Sequence, residues 1–322
     1  MDEKCYWIWL SKIENVNSKT LQYLIEKYKE PQQIWNKKLN ELLLDGIDFY
    51  TAYNLTRPMY KENLNQSLEY VNQNNISIIT YKDEKYPGLL RHIYDFPICL
   101  YVKGNVEILN ENYIGIVGSR NCTEYGKQTA RKFAYGLSKK NVCIVSGLAR
   151  GIDTYAHIGC IEANIGKTVA VLGSGLDEIY PYENKMLYEK IIKTGGAIIS
   201  EYPIGTKPYG KNFPRRNRII SGMSQGIIVV EASKKSGSLI TVDFALEQGK
   251  NVYAVPGNIT STHSVGTNEL IKEGAIPVTC VEDVVIWSQR SEVRSLTSDF
   301  LSSDFYYKNF HKNTLYFIKV VI

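Results

Sequence analysis

The stretch PIGTKPYGKNFPRRNRIISGM, Pro203 to Met223, carries five cations, Lys207, Lys211, Arg215, Arg216 and Arg218, and no acidic residue. Tyr209 and Phe213 lie among them, and three of the chain's ten arginines fall within four residues. A charge run is ordinarily a solvated face. Arginines interleaved with aromatics are also what a surface needs to neutralise phosphates and stack bases, and this concentration favours phosphate or nucleic acid over the solvated face. At the start of a helix, Arg216 and Asn217 would direct side chains and backbone amides at one ligand.

Glycine- and hydroxyl-rich loops recur elsewhere. GSRNCTEYG begins with Gly118 for a tight turn; Ser119 and Arg120 supply donors to an anion, and Thr123 is placed to cap a helix whose first amides attract phosphate. An ordinary turn with a surface arginine is the alternative there. SGLARGIDTYAH places Ser146 and Gly147 ahead of Gly151, a turn whose successive N–H groups suit an anion nest, with Asp153 as the helix cap. GSGLDEIYP adds Gly173 and Ser174, and Lys234 and Lys235 precede the helix opening Ser236-Gly237-Ser238. The first loop is not G-x-G-x-x-G, and no acidic ribose partner follows VCIVSG, which argues against a dinucleotide. His157 has no Ser or Cys nucleophile beside it and reads as structural. With no Walker A motif, G-x-S-x-G elbow or metal-ligand cluster, the edge reads as a binder, with no cofactor and no metal expected.

These loops need a scaffold that gathers them. Between Tyr113 and Thr279 the apolar runs YIGIVG, VCIVSG, TVAVLG, AIIS, GIIVVE, NVYAVPG and AIPVT alternate with helix-length amphipathic segments. Continuous apolar strands imply a sheet covered on both faces, and βα alternation implies parallel pairing. The expected fold class is α/β, an extended Rossmann-like doubly wound, mostly parallel sheet whose ligands sit beyond the C-terminal strand ends. Residues 1–72 show helical period, as in Leu21, Leu24, Ile25 and Tyr28, and are expected to form a small N-terminal helical module. Residues 73–286 are expected to form the Rossmann-like domain, opened by the runs ISIITY and ICLYVKG, and 287–322 a short Ser- and Tyr-rich tail.

At 322 residues, 44% hydrophobic and 22% charged, the composition excludes a disordered chain or a coiled coil. The balance of 38 basic against 33 acidic residues, +5, permits a phosphate-bearing partner without requiring one. Six cysteines without a C-x-x-C pair, no secretory leader and no run of 18 apolar residues give the expectation of a cytoplasmic protein with no membrane partner.

Taken in order, GSRNCTEYG, SGLARGIDTYAH, GSGLDEIYP, SEYPIG with FPRRNRIISG, SGSLITVDFALEQGKNVYAVPG and SVGTNELIKEGA, preceded by YPGLLRHIYDFPICLYVKG, resemble the DNA-processing protein A (DprA, also called Smf) family over roughly residues 86–285. The resemblance implies a Rossmann-like domain that binds single-stranded DNA, forms a homodimer, and helps load RecA recombinase during natural transformation and recombination, with no catalytic reaction. It carries DNA contact onto Arg120 of GSR, Phe213 of FPxRN and the neighbouring Lys211, Arg216, Asn217 and Arg218, and suits a sterile-alpha-motif-like or helix-hairpin-helix-like module at the N-terminus.

Val242 and Lys250 replace the alanine and arginine expected in SLITA...GR, and residues 287–322 show little likeness to the winged-helix domain that ends many relatives. The alternative function is a nucleoside-monophosphate phosphoribohydrolase-like enzyme, whose P-G-G-x-G-T-x-x-E pattern is replaced here by SGSLITVD. Leu270 and Ile271 are placed at a homodimer interface, because their helix precedes an apolar strand at the end of the sheet, where a two-fold partner is the simplest cover. Packing inward on their own sheet is the competing reading.

Overall fold

The computed structural model describes residues 1–13, 16 and 18–285. Helical period in the first 72 residues becomes seven short helices: α1 (Glu3–Lys12), α2 (Ser18–Tyr28), α3 (Pro31–Trp35), α4 (Leu39–Leu44), α5 (Phe49–Thr56), α6 (Pro58–Lys61) and α7 (Leu64–Gln73). Their starts follow local chemistry. Asp2 and Asp48 accept from the amides of Lys4 and Thr51, and Pro31 and Pro58 occupy first-turn positions where no N–H is needed.

The apolar runs become strands β1 (Ile76–Thr80), β2 (Cys99–Gly104), β3 (Tyr113–Val117), β4 (Cys143–Ser146), β5 (Thr168–Val171), β6 (Ala197–Ser200), β7 (Gly226–Val229), β8 (Asn251–Ala254) and β9 (Ile276–Pro277). Helices α8 (Glu124–Lys139), α9 (Ile152–Glu162), α10 (Lys185–Lys193), α11 (Asn212–Met223), α12 (Leu239–Glu247) and α13 (Val265–Lys272) connect them. The sheet order is β1-β2-β6-β5-β4-β3-β7-β8-β9, parallel from β6 to β9, with β2 antiparallel to both β6 and β1. This is the expected α/β class, extended beyond β6 by the antiparallel strand β2 and by β1 beside it.

Both faces are covered. Ala170, Leu172 and Ile198 join a core with α1–α5, α7 and α10, whereas their strand neighbours Val169, Val171 and Ile199 face a core made with α11, α12 and Leu270 of α13. Alternation along a strand assigns successive side chains to opposite faces, so continuous apolar strands are required here. The helices of residues 3–73 therefore share a core with the sheet, and one compact unit runs Met1–Val278. A second begins at Thr279, where Asp283 accepts from the amides of Thr279 and Cys280. The expected tail, 287–322, lies outside the described residues.

From β3 the chain winds through β4 and β5 to β6, then α11 returns it to β7 on the other side of β3. The winding direction reverses at β3, which opens a crevice beyond its C-terminal end.

Candidate nucleic-acid interface

Phe213, in the first turn of α11, stands at this crevice half-buried. Gly173, just past β5, lets the ring approach, since a Cβ there would fall 2.9 Å from the ring edge. The Tyr180 ring lies 5.4 Å away and tilted by 39°, and the Arg120 guanidinium sits 5.5 Å from the Phe213 centroid. Arg120 is exposed, and among the described residues no carboxylate pairs with it. An exposed guanidinium beside two rings offers phosphate neutralisation and base stacking within one nucleotide's reach. Ala149, Arg150 and Pro181 complete the rim, Arg150 paired with Glu183 at 2.5 Å.

Beneath the aromatic pair the site is built around Arg216. Its guanidinium is buried and donates to the carbonyls of Gly147 (2.8 Å) and Val171, while Nε donates to Asn217 Oδ1 (3.2 Å). A Cβ at 147 would lie 2.5–2.7 Å from that guanidinium, so any larger residue there would have to displace it. Burial lowers the Arg216 pKa to about 10, against the raising effect of the Asp153 charge, so it stays cationic at neutral pH. Asp153 is pushed up by burial and held back by Arg216 and by N–H donors.

The expected anion nests are already filled. Asp153 accepts from the amides of Gly147 (3.1 Å) and Ala149 (3.3 Å), and Glu231, at the end of β7, accepts from the Thr123 amide (2.8 Å) and hydroxyl (2.6 Å). Thr123 caps α8 through the Gly126 amide (3.2 Å), and the Ser119 amide donates to the Glu231 carbonyl (2.7 Å). The chain's own carboxylates thus engage donors of the β4–α9 loop and the N-cap residue of α8.

Other expectations are corrected by burial. Arg218 is turned away from the crevice rings: its fork meets both Glu201 oxygens at 2.7 Å, and its Nε donates to the Asp95 carbonyl at 2.7 Å. Ser146 and Ser174 are buried, with hydroxyls donating to the carbonyls of Ile116 (2.6 Å) and Glu178 (2.7 Å). Gly118 packs on the Glu231 carbonyl, and Lys211 is exposed just ahead of α11. Leu270 is buried in the core beneath α13 and Ile271 packs partly buried on it, so within one chain Leu270 contributes to its own core. His157 is structural: its Nδ1 meets Thr168 Oγ1 at 2.7 Å inside the core. Sequence reading passed over Tyr180 and Arg150, although Tyr180 sits inside the quoted GSGLDEIYP motif, where a tyrosine beside two glycines and a proline is the available signal.

The model of the family DNA recombination-mediator protein A matches residues 77–289. The chain is 43% identical over 225 residues to protein Smf of Escherichia coli (strain K12), covering 70% of this chain and 60% of that protein. It is 37% identical over 285 residues to DNA processing protein DprA of Bacillus subtilis (strain 168), covering 88% and 95%. Among solved structures it resembles DNA processing protein A of Streptococcus pneumoniae, with TM-score 0.72 and 35% identity over 88% of this chain and 97% of that one. It also resembles the Helicobacter pylori protein, solved for its single-stranded DNA binding mode, with TM-score 0.60 and 29% identity over 67% and 96%. With the matching sequence motifs carried on a matching fold, the chain belongs to the DNA recombination-mediator protein A family.

Proposed function

We propose that this protein binds single-stranded DNA at the β3 switch point, with Arg120 neutralising a phosphate, Phe213 and Tyr180 stacking a base, and Lys211 and Asn217 contacting the adjoining nucleotide. The observation that carries this is the exposed Arg120 guanidinium 5.5 Å from the Phe213 ring, with Tyr180 alongside. Arg216 acts from below, fixing the Gly147 and Val171 carbonyls and adding charge to the floor. The Helicobacter pylori relative, solved for its single-stranded DNA binding, supports the ligand class. No reaction is assigned. Asp153 and Glu231, the buried carboxylates at the strand ends, are engaged by main-chain donors and badly placed to serve as a base. Protection of incoming strands and their transfer to RecA recombinase, by a homodimer in the cytoplasm, complete the proposal; family resemblance supports these parts, and no described helix is long and apolar enough to cross a membrane.

Titration of a labelled oligo-dT over a range of salt, beside a nucleoside monophosphate incubated for base release, tests the reading. Single strands should bind in preference to duplex, with log K falling by about 0.7 per phosphate neutralised for each unit of log salt. Arg120→Ala should weaken binding and flatten that slope by roughly one contact's worth. An unchanged slope in the variant removes Arg120 from the site, and base release would restore the phosphoribohydrolase alternative.

A further inference from the structure

A second recess, of about 330 Å³, opens beside the first turn of α11 and shares no lining residue with the Arg120–Phe213 crevice. The two meet at consecutive residues. Asn212 lines the recess and donates to the Gly173 carbonyl (3.0 Å), the same Gly173 that underlies Phe213, which lines the crevice. A volume near 330 Å³ lies within the range of small-molecule sites.

Its chemistry is mixed in a particular way. Leu10 of α1 and Ile98 give apolar wall, and Tyr209, 56% exposed, gives an aromatic face. Tyr202 also lines the recess, with its hydroxyl buried out of reach of a ligand. Arg215, 41% exposed by side chain, approaches Glu201 only at 3.9 Å, while Arg218 takes both oxygens of that carboxylate at 2.7 Å. The Arg215 guanidinium makes no hydrogen bond within 3.5 Å to a described residue, so its donors remain for an anion. An exposed aromatic face for a base and a guanidinium for a phosphate, on one recess of this size, together fit one nucleotide.

We infer that this recess binds one nucleotide, a second site that brings α1 of the N-terminal helices into nucleic-acid contact. The nucleotide comes either from the strand that crosses Phe213 or from free monophosphate; the strand source rests on the function proposed above, and the recess chemistry does not.

The test is photo-crosslinking of the full chain with an oligo-dT bearing a single 5-iododeoxyuridine moved one position at a time, and separately with 5-iododeoxyuridine monophosphate. Peptide mapping of the adducts should find Tyr202 or Tyr209 labelled at some positions of the iodinated base and Phe213 or Tyr180 at others. Arg215→Glu should reduce recess labelling about tenfold while crevice labelling persists, as expected for loss of a phosphate contact. The wild-type map needs no variant, so a poorly folded Arg215→Glu leaves the test intact. Recess labelling by the monophosphate alone supports the site with free nucleotide as its source. Adducts confined to Phe213 and Tyr180, with oligonucleotide affinity intact and no monophosphate labelling, overturn the inference and leave the strand-binding function standing. Absence of oligonucleotide affinity overturns that function, and the inference then falls unless the monophosphate labels Tyr202 or Tyr209.

Discussion

Phe213 is half-buried against Gly173 and Tyr180, so the stacking proposed for it can be measured apart from its packing. Phe213→Ala should cost about 1–3 kcal/mol in single-strand affinity with the salt slope unchanged, and less in stability than the roughly 3–5 kcal/mol of a core aromatic. Anisotropy titrations and a thermal melt on one preparation check both. The His157 tautomer is fixed by its neighbours. Thr168 gives its one hydroxyl hydrogen to the Ile144 carbonyl (2.8 Å), so His157 Nδ1 must donate to Thr168 (2.7 Å), and Nε2 is left buried with no partner among the described residues. Burial, with the Arg216 charge adding to it, lowers the His157 pKa from 6.5 to about 3. The folded state therefore binds fewer protons than the unfolded state between those values. Stability is full above the unfolded pKa and declines as pH falls, by about 1.4 kcal/mol per pH unit below 6.5. Urea denaturation at pH 7 and pH 5 should show this loss in the parent and a shallower one in His157→Gln. Phe213 was legible because an aromatic amid clustered cations is itself unusual; burial of Arg216 and Arg218 was not, because an arginine looks the same in sequence whether it faces phosphate or a carboxylate.

At the scale of elements, apolar runs bounded by glycine revealed β3 to β8, since strands buried on both faces leave an unbroken signature. The antiparallel pairing of β1 and β2 had no such signal: ISIIT and CLYVKG read as strands, but their direction depends on where the chain returns to meet β6. Long-range caps were equally silent, with Glu231 standing 108 residues from the Thr123 it holds. Arg218 shows the consequence. It ties α11 to Glu201, 17 residues away, and to Asp95, 123 away, with side chains of Arg218 and Glu201 only 3% and 8% exposed. Removing one partner of a buried pair strands the other charge, so Arg218→Met should cost about 3–5 kcal/mol, and adding Glu201→Gln should return part of it. Chemical denaturation of both variants measures this, with affinity per folded molecule unchanged because Arg218 does not reach the crevice. Affinity lost in the fully folded single variant would return Arg218 to the DNA-binding set.

Across the whole molecule the two sheet edges are finished differently, and the second bears on assembly. β1 is covered on one face by the α7 core, whereas β9 is two residues long and ends in Pro277, which has no N–H to offer a further strand. A short, proline-blunted edge weakens the case for a second copy as its cover. Leu270, 9% exposed, packs in the same core as Val252 and Ala254 of β8, next to that edge. Placing a guanidinium there buries a charge without a counter-ion, so Leu270→Arg should abolish cooperative unfolding or lower the melting temperature steeply rather than give a folded monomer. Leu270→Ala should fold with about 2–5 kcal/mol less stability. Light scattering on Leu270→Ala, well below its melting temperature, should return the same mass as the parent, because the side chain is spent inside its own subunit. A stable, well-folded Leu270→Arg protein of half the parent mass would reverse this assignment and put α13 at the two-fold interface.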